Sequence, residues 1–95
     1  MNLNKLFEKF LKTIEDDIKY RTLFNYKQIF RLYLSKFGEK KVKELDAKTL
    51  DKYFNSLKKS LSLFTVKMIK GLMQRLLNFA YYNKIISEIY STFFY

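Results

Sequence analysis

Two stretches of the sequence carry basic and amide side chains at intervals of three and four residues. Arginine and lysine bind phosphate and guanine, whereas asparagine and glutamine can pair with the edge of adenine. At helical spacing such side chains project from one side of a helix. An ordinary solvated helix face can have the same composition, so the pattern has to be weighed with the overall charge. The two sets are Arg21, Asn25, Lys27, Gln28 and Arg31, and then Lys67, Lys70, Gln74, Arg75 and Asn78.

No group of residues in the sequence is arranged for catalysis. The 95 residues include no histidine and no cysteine, so imidazole bases, thiolate nucleophiles and metal sites built from these ligands are excluded. Two glycines are too few for a glycine-rich phosphate loop. The adjacent acids Glu15, Asp16 and Asp17 point in different directions and do not converge on one atom. We therefore predict no enzyme activity, no cofactor and no metal site.

The positive charge is unevenly distributed along the chain. Nineteen Lys and Arg against nine Asp and Glu give a net charge of +10. Residues 1–20 are neutral, and the excess is +5 over residues 21–45, +2 over 46–60 and +3 over 61–95. A strongly basic domain predicts a polyanionic partner, either nucleic acid or an anionic membrane. An abundance of solubilising lysine, without any polyanionic partner, would give a similar net charge.

A membrane partner is the weaker of these two possibilities. The basic side of the predicted fourth helix has no adjacent exposed apolar face in the pattern, as a surface-bound amphipathic helix would need. Unbroken apolar runs are far shorter than the ~20 residues that span a bilayer, and the charged N-terminus does not look like a signal peptide. We expect a cytoplasmic protein.

Apolar residues recur at helical spacing along almost the whole chain, which predicts an all-α fold. The absence of proline and the low glycine count favour long elements. The fourth helix is apolar nearly all round, so we place it at the centre of the bundle. We expect one domain over residues 1–95, with helices at about 3–19, 22–37, 47–58 and 62–83 and a possible short helix at 85–94.

Several residues signal where these helices begin and end. Asn2 or Asn4 can cap the first helix, and Asp46 can cap the third. Gly38 follows the last apolar position of the second helix, where a left-handed C-terminal cap is expected.

Most of the 18 aromatic residues fall on the apolar stripes and are assigned to the core. Phe24, Phe64 and the closing Phe93-Phe94-Tyr95 fit no stripe. They are candidates for a surface that binds a partner.

Several short segments follow one another in a distinctive order. They are Thr22-x-x-x-Tyr26-x-x-x-Phe30, Val42-Lys43-Glu44-Leu45-Asp46, Leu50-x-x-Tyr53-Phe54-x-x-Leu57, Leu61-Ser62-x-x-Thr65-Val66, Leu77-x-Phe79-Ala80-Tyr81 and Lys84-Ile85-Ile86. This order resembles the N-terminal core-binding domain of the phage integrase, or tyrosine recombinase, family. The resemblance covers roughly residues 3–86.

The resemblance implies a compact, orthogonal, SAM-like bundle of four to five helices. Such a domain grips one face of double-stranded DNA at the recombination core site, while a separate catalytic domain closes on the other face. It also packs against neighbouring protomers. Its second and fourth helices enter the major groove. The corresponding residues here, with Lys27 added from the basic face, are Arg21, Thr22, Asn25, Lys27, Gln28, Arg31, Ser62, Thr65, Lys67, Lys70 and Gln74.

The sequence departs from this family at its C-terminal side. The family usually has Asn-Pro soon after the segment that matches Lys84-Ile85-Ile86, whereas this chain continues Ser87-Glu88-Ile89-Tyr90. The catalytic arginines and the tyrosine nucleophile of the family belong to its other domain, and nothing here would activate Tyr95. We expect DNA binding without DNA cleavage. The alternative is a helical protein–protein interaction module that uses the apolar C-terminal segment.

Overall fold

The structure, a computed structural model, describes residues 1–86, and all regular structure within them is helical. This confirms the predicted all-α fold class. The elements are α1 (Leu3–Ile14), α2 (Tyr20–Ile29), a π-helical turn (Phe30–Leu34), two 3-10 turns (Ser35–Phe37 and Val42–Glu44), α3 (Ala47–Leu57) and α4 (Leu63–Tyr82).

The first two helix boundaries differ from those predicted. α1 ends at Ile14 rather than near residue 19, because Glu15, Asp16 and Asp17 would place three negative charges at the negative end of the helix dipole. α2 begins two residues earlier than predicted, at Tyr20. The predicted fifth helix is not supported at Ile85 and Ile86, which are not helical, and its remaining positions lie outside the described residues.

The second helix loses its regularity where a serine side chain competes with the backbone. In an α-helix the Ser35 amide would donate to the Arg31 carbonyl. Here the Ser35 hydroxyl donates to that carbonyl at 2.8 Å, and the amide donates to the carbonyl of Phe30, one residue further back. Such back-bonding bends helices. The chain is therefore helical as far as Phe37, where the predicted helix over 22–37 ends, but it is α-helical only as far as Ile29.

Tyr53 on α3 binds the irregular end of the second helix. Its hydroxyl donates to the Tyr33 carbonyl at 2.6 Å, and its ring meets that of Phe37 edge-on, with the centroids 5.1 Å apart. Burial, with a smaller contribution from Tyr33, raises the pKa of the Tyr53 hydroxyl, so the protonated form that can donate is favoured.

The start of the chain pairs with the loop that follows the second helix. The amides of Leu3 and Asn4 donate to the carbonyls of Lys40 and Gly38, both at 3.0 Å. Gly38 has right-handed helical angles, φ −57° and ψ −38°, so the predicted left-handed cap is wrong. Its role is steric, because a Cβ there would lie 2.7 Å from Cγ of Asn4.

Three helices begin at the capping residues typical of such positions. Asn2, Asp46 and Ser62 accept hydrogen bonds from the amides of Lys5, Thr49 and Thr65. These bonds satisfy amides that have no partner inside the helix. The hydrogen bond from the Thr49 amide lowers the pKa of the Asp46 carboxyl, and the hydrogen bond from the Thr49 side chain lowers it further.

The core is built around α4, as predicted. Helices α1, α2 and α3 all pack on it. The first half of the chain joins this core through aromatic contacts: Phe7 stacks on Phe30 with the centroids 4.1 Å apart, and Phe10 meets Phe79 edge-on at 5.7 Å. The buried residues of α4 are Val66, Ile69, Leu72, Met73, Leu76, Leu77 and Ala80.

α4 ends in a left-handed residue that is not glycine. Lys84 has φ 61°, a conformation that costs an L-residue roughly 1–2 kcal/mol. Its amide donates to the Tyr81 carbonyl, and the Ile85 amide donates to the Ala80 carbonyl, which is the Schellman arrangement. The reversal lets Ile86 reach the core, where it is buried.

We expect Tyr53→Phe to lower the free energy of unfolding by about 1–2 kcal/mol, because the half-buried Tyr33 carbonyl loses its donor. Urea unfolding followed by circular dichroism measures this change. Tyr82→Phe is the matched control at an exposed tyrosine. Equal unfolding midpoints for the two variants would contradict the role assigned to the Tyr53 hydroxyl.

Candidate nucleic-acid interface

The outward side of the second helix, made of α2 and the π-helical turn after it, carries two of the three basic residues predicted there. Arg21 and Asn25 on α2 and Arg31 on the turn are exposed, and α2 also exposes Tyr20 and Phe24, whose side chains are 80% and 48% exposed. No residue of α2 is fully buried, so this helix lies on the surface of the bundle.

Two of the predicted α2 residues are already paired with each other. The Arg31 guanidinium donates to the Gln28 amide oxygen at 2.6 Å. Gln28 is half-buried, while Arg31 is exposed. The bond holds the guanidinium over the helix surface, and it uses one of the two lone pairs of the oxygen with which Gln28 would read a base. Thr22 is half-buried in the first turn of α2.

Lys27 lies apart from this outward side. It lines a surface groove of about 420 Å³ between α1 and α2 together with Glu8, Leu11 and Glu15. The neighbouring carboxylates make this groove electrostatically mixed, and therefore less attractive to a phosphate than the outward side of α2.

Ser62 and Thr65 form the N-terminal cap of α4. The Ser62 hydroxyl accepts from the Thr65 amide at 3.2 Å, and the two hydroxyl oxygens are 3.0 Å apart. Both side chains thus have a structural role that the sequence pattern does not separate from a DNA contact.

The predicted basic set on α4 divides between exposed and half-buried side chains. Lys67 is exposed, whereas Lys70 and Gln74 are half-buried. The Lys70 ammonium lies over the Phe54 ring of α3, 5.9 Å from its centroid, and Gln74 donates to Asn78 at 2.7 Å. Lys70 therefore lies on the flank of α4 that faces α3.

The most outward residues of α4 form a mixed apolar and basic stripe. We call Phe64, Lys67, Met68, Gly71 and Arg75 the α4 outer stripe, since they recur three and four residues apart. Phe64 is 73% and Met68 38% exposed. The expectation that the basic side of this helix has no adjacent exposed apolar face is therefore wrong.

The sequence pattern placed Arg75 in the basic set of the fourth helix but not among the residues matched to the family, it left Met68 out, and it singled out Phe64 as a partner contact. Met68 and Arg75 follow Phe64 by four and eleven residues, a spacing that predicts one shared helix face. The sequence pattern also did not predict that Lys36 lies over the Tyr53 ring, 4.4 Å from the centroid. That contact depends on the position of α3, which no local pattern gives.

The geometry defines a small all-α domain in which α2 and α4 pack against each other and both carry exposed cations. Residues 2–58 match the family model described as phage integrase, N-terminal SAM-like domain. The match covers more than half of the chain, and the chain belongs to this family. It includes α1, α2 and α3 and ends before α4.

Searches of curated proteins and of solved structures give no significant match. Among residues 1–86, no helix is long and apolar enough to cross a membrane. The same residues contain no cluster of acidic side chains that could hold a metal ion.

The two lysines of the α4 set should differ in their effect on stability. Lys70→Glu replaces a cation over the Phe54 ring with an anion, and we expect it to lower the free energy of unfolding by about 1 kcal/mol. Lys67 is exposed, and Lys and Glu have similar helix propensities, so Lys67→Glu should change the free energy of unfolding by less than about 0.5 kcal/mol. Urea unfolding of both variants measures the difference, and equal effects would refute the contact between Lys70 and Phe54.

Proposed function

We propose that this chain binds double-stranded DNA as the core-site-binding domain of an integrase-type site-specific recombinase, a tyrosine recombinase. Catalysis belongs to a separate domain of the parent protein. That catalytic domain or neighbouring protomers are the expected protein partners. A cytoplasmic location is part of the same proposal. The observation that carries the proposal is that exposed cations lie on α2 and α4, in a domain of the integrase N-terminal family.

The exposed side chains support this assignment by their chemistry. Arg21 on α2, Arg31 on the π-helical turn that follows it, and Lys67 and Arg75 on α4 are exposed and suited to phosphate oxygens. α4 has no acidic residue over its whole length, so nothing on this helix repels a phosphate backbone. Asn25, Gln28 and Gln74 are the proposed base-reading side chains, and the Gln28 oxygen can accept a second hydrogen bond beside the one from Arg31.

A protein–protein interaction module is the second candidate, and it is favoured by the exposed rings of Phe24 and Phe64. Burial of apolar surface depends little on salt, whereas phosphate binding depends on it strongly. A partner complex or dimer that is insensitive to salt would favour this candidate.

Charge reversal of both Lys67 and Lys70 should abolish the shift of a DNA duplex in a native gel, because two cations proposed to meet the phosphate backbone become anions. Lys67→Glu alone should weaken binding several-fold with the fold intact. The matched control is the double variant Lys5→Glu/Lys9→Glu on α1, at two exposed positions.

Each reversal lowers the net charge by two units, so both double variants fall from +10 to +6. A loss of binding that is confined to the α4 variants would therefore reflect position and not total charge. Unchanged binding by the Lys67/Lys70 variant, or equal weakening by the α1 variant, would rule out the proposed role of α4.

Binding should depend strongly on ionic strength. If the domain neutralises ~3–5 phosphates, the logarithm of affinity should fall against the logarithm of salt concentration with a slope of about −3 to −4. The isolated domain should bind in the ~10⁻⁴–10⁻⁶ M range typical of non-specific contacts. Fluorescence anisotropy with a labelled duplex at several salt concentrations measures both. A slope near zero would argue against phosphate binding.

A further inference from the structure

The α4 outer stripe places two apolar side chains where the proposed function places DNA. Phe64 and Met68 lie one helical turn apart, with exposed Lys67 between them in the sequence. The Phe64 side chain is 73% exposed, so its apolar surface contributes none of the free energy that burial would give. The stripe therefore has the chemistry of a contact surface, and its cations indicate a polyanion.

The surface of the stripe is open beyond these two side chains. Gly71 follows Met68 by three residues, and a Cβ built on it would meet nothing within 4 Å. The helix backbone is thus uncovered on this side and can come close to a partner. Arg75, four residues further on, is exposed and can reach a phosphate at the edge of a groove.

The dimensions of the stripe suit the major groove of duplex DNA. A helix with its side chains is about 10–12 Å across and the groove is about 12 Å wide, so α4 can lie along it. In that orientation Phe64 and Met68 are separated by roughly 6 Å along the helix axis, close to two base-pair steps of 3.4 Å. The apolar group that the major groove presents is the C5-methyl group of thymine.

We propose that Phe64 and Met68 contact thymine methyl groups in the major groove and give this domain a preference for sites rich in thymine. The inference rests on the proposed DNA binding and adds to it a specificity that amide and cation contacts do not supply. Lys67 and Arg75 attract any sequence equally, since they meet phosphates. Phe64 and Met68 distinguish sequences by the presence of a methyl group.

The mixed composition of the stripe favours DNA over an apolar protein surface. Lys67 and Arg75 would be costly to bury against apolar groups without a counter-charge. A phosphate backbone supplies that counter-charge at both rims of the groove, while the groove floor supplies methyl groups. Duplex DNA can therefore satisfy both the apolar and the charged groups of the stripe.

The test compares duplexes that differ only in the C5-methyl group. Anisotropy titrations at one low salt concentration use alternating A–T and A–U duplexes of equal length. A second pair uses alternating G–C duplexes with cytosine or 5-methylcytosine. The charge and the phosphate contacts are the same within each pair. The proteins are the full chain, the double variant Phe64→Ala/Met68→Ala and the control Leu63→Ala.

Leu63 is a matched control because it is also exposed but lies off the stripe, about 100° around the helix from Phe64. We expect the unaltered chain and Leu63→Ala to bind each methylated duplex more tightly than its unmethylated partner. The expected ratio is about fourfold for each contacted methyl group, because burying one CH₂-sized group contributes about 0.8 kcal/mol. The double variant should bind the methylated and unmethylated members of each pair equally.

Equal binding of A–T and A–U duplexes by the unaltered chain, with the salt dependence intact, would overturn this inference and leave the proposed function standing. That comparison needs no substitution, so it holds even if a variant fails to fold. A methyl preference that survives in the double variant would also overturn it. So would a change in self-association that leaves the preference unaltered, because the stripe would then be a protein interface. No binding to any duplex would refute the proposed function itself.

Discussion

The arrangement of the domain depends on the burial of one face of α4. Helices α1, α2 and α3 all pack on this helix, and seven of its residues are buried. α4 must therefore satisfy three neighbours at once, which leaves only a narrow side turned outward. That side carries the α4 outer stripe. The same packing that forms the core thus decides which α4 residues remain available to a partner.

Sequence reasoning predicted the fold well where a helix boundary depends on a local signal. α3 and α4 begin where Asp46 and Ser62 can cap them, and both were predicted to within one residue at each end. It failed where the outcome depends on a choice between two hydrogen bonds or on a distant contact. The hydroxyl of Ser35 competes with its own amide, and Gly38 lies against Asn4, which is 34 residues away in the sequence. Hydrophobic periodicity contains neither piece of information.

The candidate interface could be predicted in composition but not in detail. Helical spacing identified the exposed cations Arg21, Arg31 and Lys67. It did not separate them from Lys70, whose ammonium lies over an α3 ring, because the position of α3 beside α4 is a tertiary fact. A helical wheel drawn for one helix gives a direction for each side chain. It does not say whether that direction ends in water or against another helix.

The π-helical turn of the second helix also affects how this chain should be compared with its relatives. A π turn holds one residue more than the α turn it resembles, so the chain carries an extra residue at Phe30–Leu34 without a matching increase in length. An alignment that assumes an unbroken helix would shift every position on one side of this turn by about 100°.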